Sequence, residues 1–160
     1  MRIGRRDAFT FIKRILSVEN LKAITKFKNV HFQPFKSIYE EVFSCGTFPR
    51  KIKFKSPTGN FEIEIFSSQD FSTFNLIFCR EDYYTPKDFK IVVDIGSNIG
   101  SSAIYWLTRN TYNKVYCYEP SITNFKKLEK NLKIFNSRCI LYNEAVSNYN
   151  GLGYLNLEKT

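Results

Sequence analysis

Two acidic residues are associated with short apolar runs that are typical of parallel strands. Asp94 lies near the end of "IVVDI", and Glu119 follows "KVYCY" 25 residues further along the chain. Because the carboxyl ends of parallel strands meet at one edge of a sheet, we expect the two carboxylates to lie beside one crevice. Such a pair would attract a positively charged ligand and would repel a phosphate group. These residues therefore favour the binding of a cationic ligand.

The loop "GSNIG", which begins two residues after Asp94, narrows the choice of ligand. Gly96 permits a tight turn, Asn98 stands where a positive φ is expected, and Gly100 permits close packing between loop and helix. A dinucleotide-binding loop needs a glycine at the position of Asn98, so that a pyrophosphate can approach the backbone. A nicotinamide-dependent enzyme is therefore the weaker alternative. S-Adenosylmethionine carries an ammonium group, a sulfonium and a ribose without phosphate, and it suits the two acids better.

Further candidate residues concern the nucleoside part of such a ligand. Glu119 is placed to accept hydrogen bonds from both ribose hydroxyls. In "YNEAVS", Glu144 could accept from the adenine amino group, and the backbone of Ala145 could pair with the ring. Each acid alone would be interpreted as an exposed loop residue, so the combination carries the prediction. No catalytic base is assigned, because the sole histidine, His31, is more readily explained as structural.

The elements that position these residues alternate between strand and helix from residue 90 onwards. The continuous β-branched run 91–93 predicts a strand that is buried on both faces. Ser121 or Thr123 is the expected N-cap of the second helix, and Asn136 suits a left-handed residue at its end. This alternation predicts an α/β fold with a right-handed, doubly wound parallel sheet. The predicted strands cover residues 91–95, 114–118 and 139–143, and the predicted helices cover 100–109 and 122–135.

The first ninety residues show different patterns. Apolar residues at helical spacing predict one or two amphipathic basic helices within residues 7–29. Alternation around a Pro and Gly turn predicts a β-hairpin within residues 52–65, and a short helix is expected near 73–78. We therefore divide the chain into a basic helical region (1–50), a hairpin with its connector (51–89) and a partial Rossmann-like domain (90–160).

Composition and charge set the class of the protein. The chain has 160 residues, of which 43% are apolar and 17% aromatic, so it can form a globular domain. Residues 1–60 hold 13 Lys and Arg against 4 Asp and Glu, whereas the remainder holds 11 of each. This basic part could contact an anionic surface weakly, but no pattern typical of a specific nucleic-acid binder occurs.

The cysteines and the apolar segments indicate a cellular setting. The four cysteines form no C-x-x-C pair and there is no His cluster, so a metal site is not expected. Free thiols are typical of a reduced, cytoplasmic protein. No apolar run approaches the length of a membrane span, and the N-terminus lacks the pattern of a signal peptide.

Three segments resemble one enzyme family. The segments "DYYTPKDFKIVVDIGSNIGSSAIYWL", "VYCYEPSITNFKKLEKNLKIFN" and "ILYNEAVSNYNG" are similar to the FkbM-type methyltransferases, Rossmann-like enzymes of class I that use S-adenosylmethionine. The similarity covers about residues 83–151. It is faint over 50–82, where a "D-x-x-T" segment precedes two tyrosines, Tyr83 and Tyr84. The resemblance implies methyl transfer to a hydroxyl group on a sugar, glycan or other small molecule.

The resemblance also implies roles for particular residues. The residues that would line the methionine end of the cofactor are Asp94, Gly96, Ser97, Asn98 and Gly100. Glu119 would hold the ribose, and Glu144 with Ala145 would hold the adenine. Tyr83 and Tyr84 could close over the site, although packing of the connector is the expected role.

The family pattern continues with further strands and a substrate-side segment that have no counterpart in this sequence. We therefore expect a truncated product whose sheet lacks cover on one face and along one edge. The alternative to an enzyme is a non-catalytic remnant that binds an anionic partner through its basic N-terminal part.

Overall fold

The computed structural model describes residues 25–83, 86 and 88–155, and its architecture is α/β. Residues 25–30 are helical, whereas most of the predicted amphipathic segment 7–29 lies outside the described residues. In chain order the elements are α1 (Pro34–Phe43), β1 (Arg50–Ser56), β2 (Gly59–Ile65), α2 (Ser68–Asn75), β3 (Ile91–Ile95), α3 (Ser101–Leu107), β4 (Lys114–Tyr118), α4 (Ile122–Leu132) and β5 (Cys139–Tyr142). A π-helical turn (Leu76–Arg80) follows α2, and a 3₁₀ turn (Lys133–Phe135) follows α4.

β1 and β2 form the predicted hairpin. The strands pair antiparallel from Arg50 with Ile65 to Ser56 with Gly59, and a two-residue turn joins them. Phe54 is fully buried and packs edge-on against Phe74 of α2, with 5.3 Å between the ring centroids. The hairpin is thereby fixed to the helix that follows it.

Helix α2 begins earlier than predicted. The helix expected near residues 73–78 starts at Ser68, because Ser67 caps its first turn and Asp70 binds the chain just before the cap. The Asp70 amide donates to Ser67 Oγ (3.1 Å), and Asp70 Oδ2 accepts from the Phe66 amide (3.2 Å). The "S-x-x-D" pattern at residues 67–70 was the missed signal for this helix start.

The parallel sheet has the strand order β3-β4-β5, and its three strands are those predicted. In the register, Asp94 lies beside Cys117, and Cys117 lies beside Leu141. The strand order advances in one direction, so right-handed crossovers place α3 and α4 on the same face of the sheet. We call this the covered face and the opposite one the open face.

The two faces have different burial. On the covered face Val115 and Cys117 are fully buried. On the open face Ile91, Val93 and Ile95 are 64%, 57% and 63% exposed. The prediction that run 91–93 is buried on both faces is therefore wrong, because no described helix covers the second face. The expectation of a sheet with one uncovered face agrees with this pattern.

The end of α4 differs from the prediction, whereas its start agrees. Ser121 is the N-cap and accepts a hydrogen bond from the Asn124 amide. Asn136 has a right-handed backbone (φ −53°, ψ −28°), so the predicted left-handed residue is wrong. The helix ends instead by tightening into the 3₁₀ turn, which leads into β5.

A single apolar core joins the hairpin to the sheet. It runs from Phe27 through Phe54 and Phe74 to Leu128 and Phe135. The three regions predicted from the sequence therefore share one core in the described part of the chain.

Asn131 of α4 adds a polar link between the hairpin and the sheet. Its Oδ1 accepts from the Glu64 amide (2.9 Å), and its Nδ2 donates to the carbonyls of Glu64 (3.1 Å) and Ile99 (2.8 Å). One side chain thus holds the edge of β2 and the loop that follows β3.

Two further findings concern the helices and the cysteines. Within the described ranges, no helix is both long and apolar enough to cross a membrane. Cys45, Cys79, Cys117 and Cys139 are free thiols.

Candidate functional site

The loop after β3 has the backbone that the sequence predicted. Gly96 (φ +82°), Asn98 (φ +49°) and Gly100 (φ +97°) all adopt a left-handed conformation. The amides of Gly96 and Ser97 donate to the carbonyl of Tyr118 (2.9 and 3.0 Å), so the loop is held at the end of β4. A Cβ on Gly100 would lie 3.0 Å from a leucine of α4, whereas a Cβ on Gly96 would meet nothing within 4 Å. Gly100 therefore serves packing, and the space beside Gly96 is open.

Glu119 joins this loop to the start of α4. Its Oε2 accepts from the Asn98 amide (2.8 Å), and its Oε1 accepts from the Ser121 amide (2.9 Å). The residue is only 6% exposed. Each carboxylate oxygen has a second lone pair, so a ribose hydroxyl would have to use those that remain. Glu119 thus has a structural role whether or not it binds a ribose.

Asp94 lies on the covered face of the sheet, beside α3. Ser102 Oγ donates to Asp94 Oδ2 (2.7 Å), and Ser97 Oγ donates to the Asp94 carbonyl (3.0 Å). Burial raises the pKa of the Asp94 carboxyl, and the two serines oppose this shift. The negative charge of Glu119 also raises the pKa of Asp94. The two predicted acids therefore lie at the same edge of the sheet, connected by residues 97 and 98.

A small cavity lies between this loop, α2 and the start of α3. Its volume is about 120 Å³. The lining residues are Asp70, Thr73, Ile77, Tyr83, Gly96, Ser97, Asn98, Ile99, Ser101 and Ser102. Among the described residues, this lining contains the acid Asp70 and no basic residue. Small-molecule sites typically enclose about 300–1,000 Å³, so the cavity can hold one end of a nucleoside cofactor.

Ser101 places an unpaired polar atom at this cavity. The residue is 4% exposed, and its Oγ is buried without a hydrogen-bond partner among the described residues. Buried hydroxyls normally have a partner, so an unpaired hydroxyl on a residue that lines the cavity is unusual. The sequence could not single out Ser101, because Ser102 is its neighbour and only the structure shows that Ser102 is already bonded to Asp94.

The structure brings part of the predicted set to the cavity. The predicted residues that line it are Gly96, Ser97 and Asn98. Asp94, Glu119 and Gly100 support the loop through the contacts above. Glu144 and Ala145 are exposed just after β5 and do not line the cavity. Asn143, directly before them, donates from Nδ2 to the Glu119 carbonyl (2.7 Å), so this segment follows the same edge of the sheet.

Two aromatic residues from the sequence analysis have different positions. Tyr83 borders the cavity and also stacks on Trp106, with 5.7 Å between ring centroids. Tyr84 lies outside the described residues.

His31 is 3% exposed, its Nε2 is 2.7 Å from Asn75 Oδ1, and burial lowers its pKa. His31 therefore has the surroundings of a structural residue, as expected.

Comparison with known proteins does not indicate a function for this chain. No model of a known protein family matches the chain, and no curated protein matches its sequence. The function must therefore be argued from the cavity, the loop and the acids around them.

Proposed function

We propose that this chain binds S-adenosylmethionine at the loop of residues 96–100 and transfers its methyl group to a hydroxyl on a sugar, glycan or other small molecule. The observation that carries the proposal is the cavity beside this loop, whose described lining residues include the acid Asp70, the unpaired hydroxyl of Ser101 and no basic residue. An acidic lining attracts the ammonium at the amino-acid end of this cofactor and repels a phosphate.

The backbone of the loop supports a ligand without phosphate. Phosphate-binding loops present free amides to the anion. Here the amides of Gly96 and Ser97 bind Tyr118, the amide of Asn98 binds Glu119, and the amide of Gly100 binds the Ser97 carbonyl (2.8 Å). These four amides are already bonded, so they are not available to a pyrophosphate.

The open space at Gly96 supports a close approach by the ligand. No atom lies within 4 Å of the position that a Cβ would occupy, and Gly96 belongs to the cavity wall. Under the proposal, Asp94 and the loop hold the methionine end, while Glu119 holds the ribose and Glu144 with Ala145 the adenine. The cofactor supplies an electrophilic methyl group, and the protein supplies orientation.

Calorimetric titration of the full chain with S-adenosylmethionine tests this proposal. We expect Asp94→Asn to weaken binding by about tenfold or more, because the variant loses one negative charge behind the loop that lines the cavity and thus weakens the attraction of the site for an ammonium. An asparagine oxygen can still accept the hydrogen bond from Ser102, so the local structure is retained. Asp88→Asn, a change of the same kind at an exposed position, is the matched control and should bind like the wild type.

Two results would contradict the proposal. One is equal affinity of the wild type and Asp94→Asn for S-adenosylmethionine. The other is tighter binding of a reduced nicotinamide dinucleotide than of S-adenosylmethionine by the wild type.

The alternative function, a binding module for an anionic partner, is favoured by the orientation of α1. The polar side of this helix faces inward: Glu40 forms two hydrogen bonds with Arg50 (2.7 and 2.6 Å), and Glu41 accepts from Ser72 and Asn75 (both 2.8 Å). The acidic residues of the helix are thereby neutralised or shielded. What remains outside is aromatic and basic.

The outward side of α1 forms an aromatic surface that consists of Phe35, Tyr39 and Phe43. These residues are 85%, 58% and 64% exposed. Lys36 is exposed on the same helix, and Lys55 lies over the ring of Phe32, 5.1 Å from its centroid. Exposed aromatic residues beside lysines are typical of contact with an anionic bilayer surface.

Sedimentation with vesicles of phosphatidylserine and phosphatidylcholine tests this alternative. We expect retention at low salt that Phe35→Ser weakens severalfold, whereas Tyr112→Ser, at a residue 55% exposed elsewhere, should not weaken it. Absence of wild-type retention at low salt would rule out the membrane contact.

A further inference from the structure

We infer that α2 forms the second wall of the ligand site, where Asp70 and Thr73 bind the amino-acid end of the ligand opposite Ser101. This inference rests on the proposed function for the identity of the ligand. It goes further because it assigns binding residues to the hairpin region, which precedes the Rossmann-like segment in the chain.

The cavity is enclosed by elements that are distant in sequence. Asp70 and Thr73 line it from α2, residues 96–98 line it from the loop, and Ser101 lines it from the start of α3. The "D-x-x-T" spacing places the acid and the hydroxyl one turn apart on the same side of α2. A ligand in this cavity therefore contacts both parts of the molecule.

Asp70 retains an acceptor for an ammonium group. Its described hydrogen bonds are those of the helix cap, in which Oδ2 accepts from the Phe66 amide. Within the described contacts, Oδ1 has no hydrogen bond, and the residue is half-buried. Partial burial strengthens the attraction between a carboxylate and an ammonium relative to bulk water.

Ser101 and Thr73 supply the complementary donors. An α-amino acid presents a carboxylate next to its ammonium, and a hydroxyl can donate to that carboxylate. Ser101 Oγ is buried and has no partner in the described structure, so it gives up no protein hydrogen bond when it binds a ligand. One acid and two hydroxyls therefore match both charged groups of an amino-acid end.

Titration of two variants with two nucleosides separates this site from the rest of the cofactor site. We expect Asp70→Asn to weaken S-adenosylmethionine binding about tenfold and Ser101→Ala about fivefold. Both variants should bind methylthioadenosine, which lacks the amino-acid end, like the wild type. Asp70→Asn retains an oxygen for the helix cap, so its melting temperature should stay close to that of the wild type.

The melting temperature distinguishes a ligand role of Ser101 from a structural one. Ser101→Ala removes a hydroxyl without a partner, so the variant should be at least as stable as the wild type while binding less ligand. Thr108→Val is the control, since the buried Thr108 hydroxyl donates to the carbonyls of Ile104 and Tyr105 (2.8 and 3.1 Å). This control should melt at a lower temperature and bind S-adenosylmethionine like the wild type.

The outcomes separate this inference from the proposed function. Wild-type binding of S-adenosylmethionine that neither variant weakens would overturn the inference and leave the proposed function intact. Binding of free methionine that Asp70→Asn weakens, without binding of either nucleoside, would support the amino-acid site and overturn the proposed cofactor. Binding of none of the three ligands by the wild type would overturn both.

Discussion

The two faces of the parallel sheet differ although the same three strands build both. On the covered face, Val115 and Cys117 are fully buried beneath helices. On the open face, Ile91, Val93 and Ile95 are more than half exposed. All of these residues are apolar, so the difference follows from chain connectivity: two right-handed crossovers in one direction place both helices on one side.

The open face is partly shielded by its own side chains. The register places Val93 beside Tyr116, and Ile95 beside Tyr118 and then Tyr142. The rings of Tyr118 and Tyr142 stack at 4.7 Å, almost parallel. Cross-strand aromatic pairs of this kind stabilise a sheet by about 0.2–1 kcal/mol, far less than a covering helix would.

Two valines on opposite faces give the largest expected contrast. Val115→Ala should lower the free energy of unfolding by about 2–3 kcal/mol, because it leaves a cavity in the covered face. Val93→Ala, the matched change on the open face, should cost less than about 0.5 kcal/mol. Chemical denaturation of both variants measures the difference. Equal losses would mean that the open face is covered in solution, for example by another copy of the chain.

Alanine variants of two glycines in the loop should differ from each other in stability, but by less than the two valine variants do. Gly100→Ala and Gly96→Ala both place a side chain at positive φ, which costs about 1–2 kcal/mol. Only Gly100→Ala also forces a Cβ to within 3.0 Å of Leu128 Cδ1. We expect Gly100→Ala to cost about 1–2 kcal/mol more than Gly96→Ala. A larger loss at Gly96 in thermal unfolding would mean that α4 does not pack against the loop as described.

Substitution of Asp94 should have the smallest effect on stability. Unlike the valine and glycine variants, it should stabilise the protein. Burial raises the pKa of Asp94 above its ordinary value of 3.8, so the folded state favours the protonated form. The associated stability is present below about pH 4 and is lost as the pH rises through the raised pKa. Asp94→Asn should therefore stabilise the protein near pH 7 and have little effect at pH 3. A variant that is less stable than the wild type at pH 7 would contradict this assignment.

Much of the local structure near the loop could be predicted from the sequence. The strands, the left-handed Asn98 and the tight turn at Gly96 follow from residue types whose backbone preferences are strong. The open face could not be predicted from run 91–93, because three consecutive apolar residues show no alternation between a buried and an exposed side. The positions of Ser101 and Asp70 at the cavity could not be predicted either, since they depend on contacts between segments that are distant in the chain.

The ends of the helices also include features that the sequence predicts and features that it does not. Residue type and position restricted the N-cap of α4 to Ser121 or Thr123, and the structure shows that it is Ser121. Asn136 was misassigned, because the tightening of α4 into a 3₁₀ turn depends on its packing and not on the asparagine itself. The start of α2 was predictable in principle from Ser67 and Asp70, which form a recognisable capping pair.

Asn131 links the backbone amide of Glu64 to the conformation of the loop after β3. Its side-chain amide binds the Ile99 carbonyl in the loop and the Glu64 amide at the edge of β2. A ligand that restricts the loop would also restrict Asn131, and the Glu64 amide hydrogen would then exchange with deuterium more slowly. The exchange rate of this one amide hydrogen in β2 would therefore report ligand binding, although β2 itself does not contact the ligand.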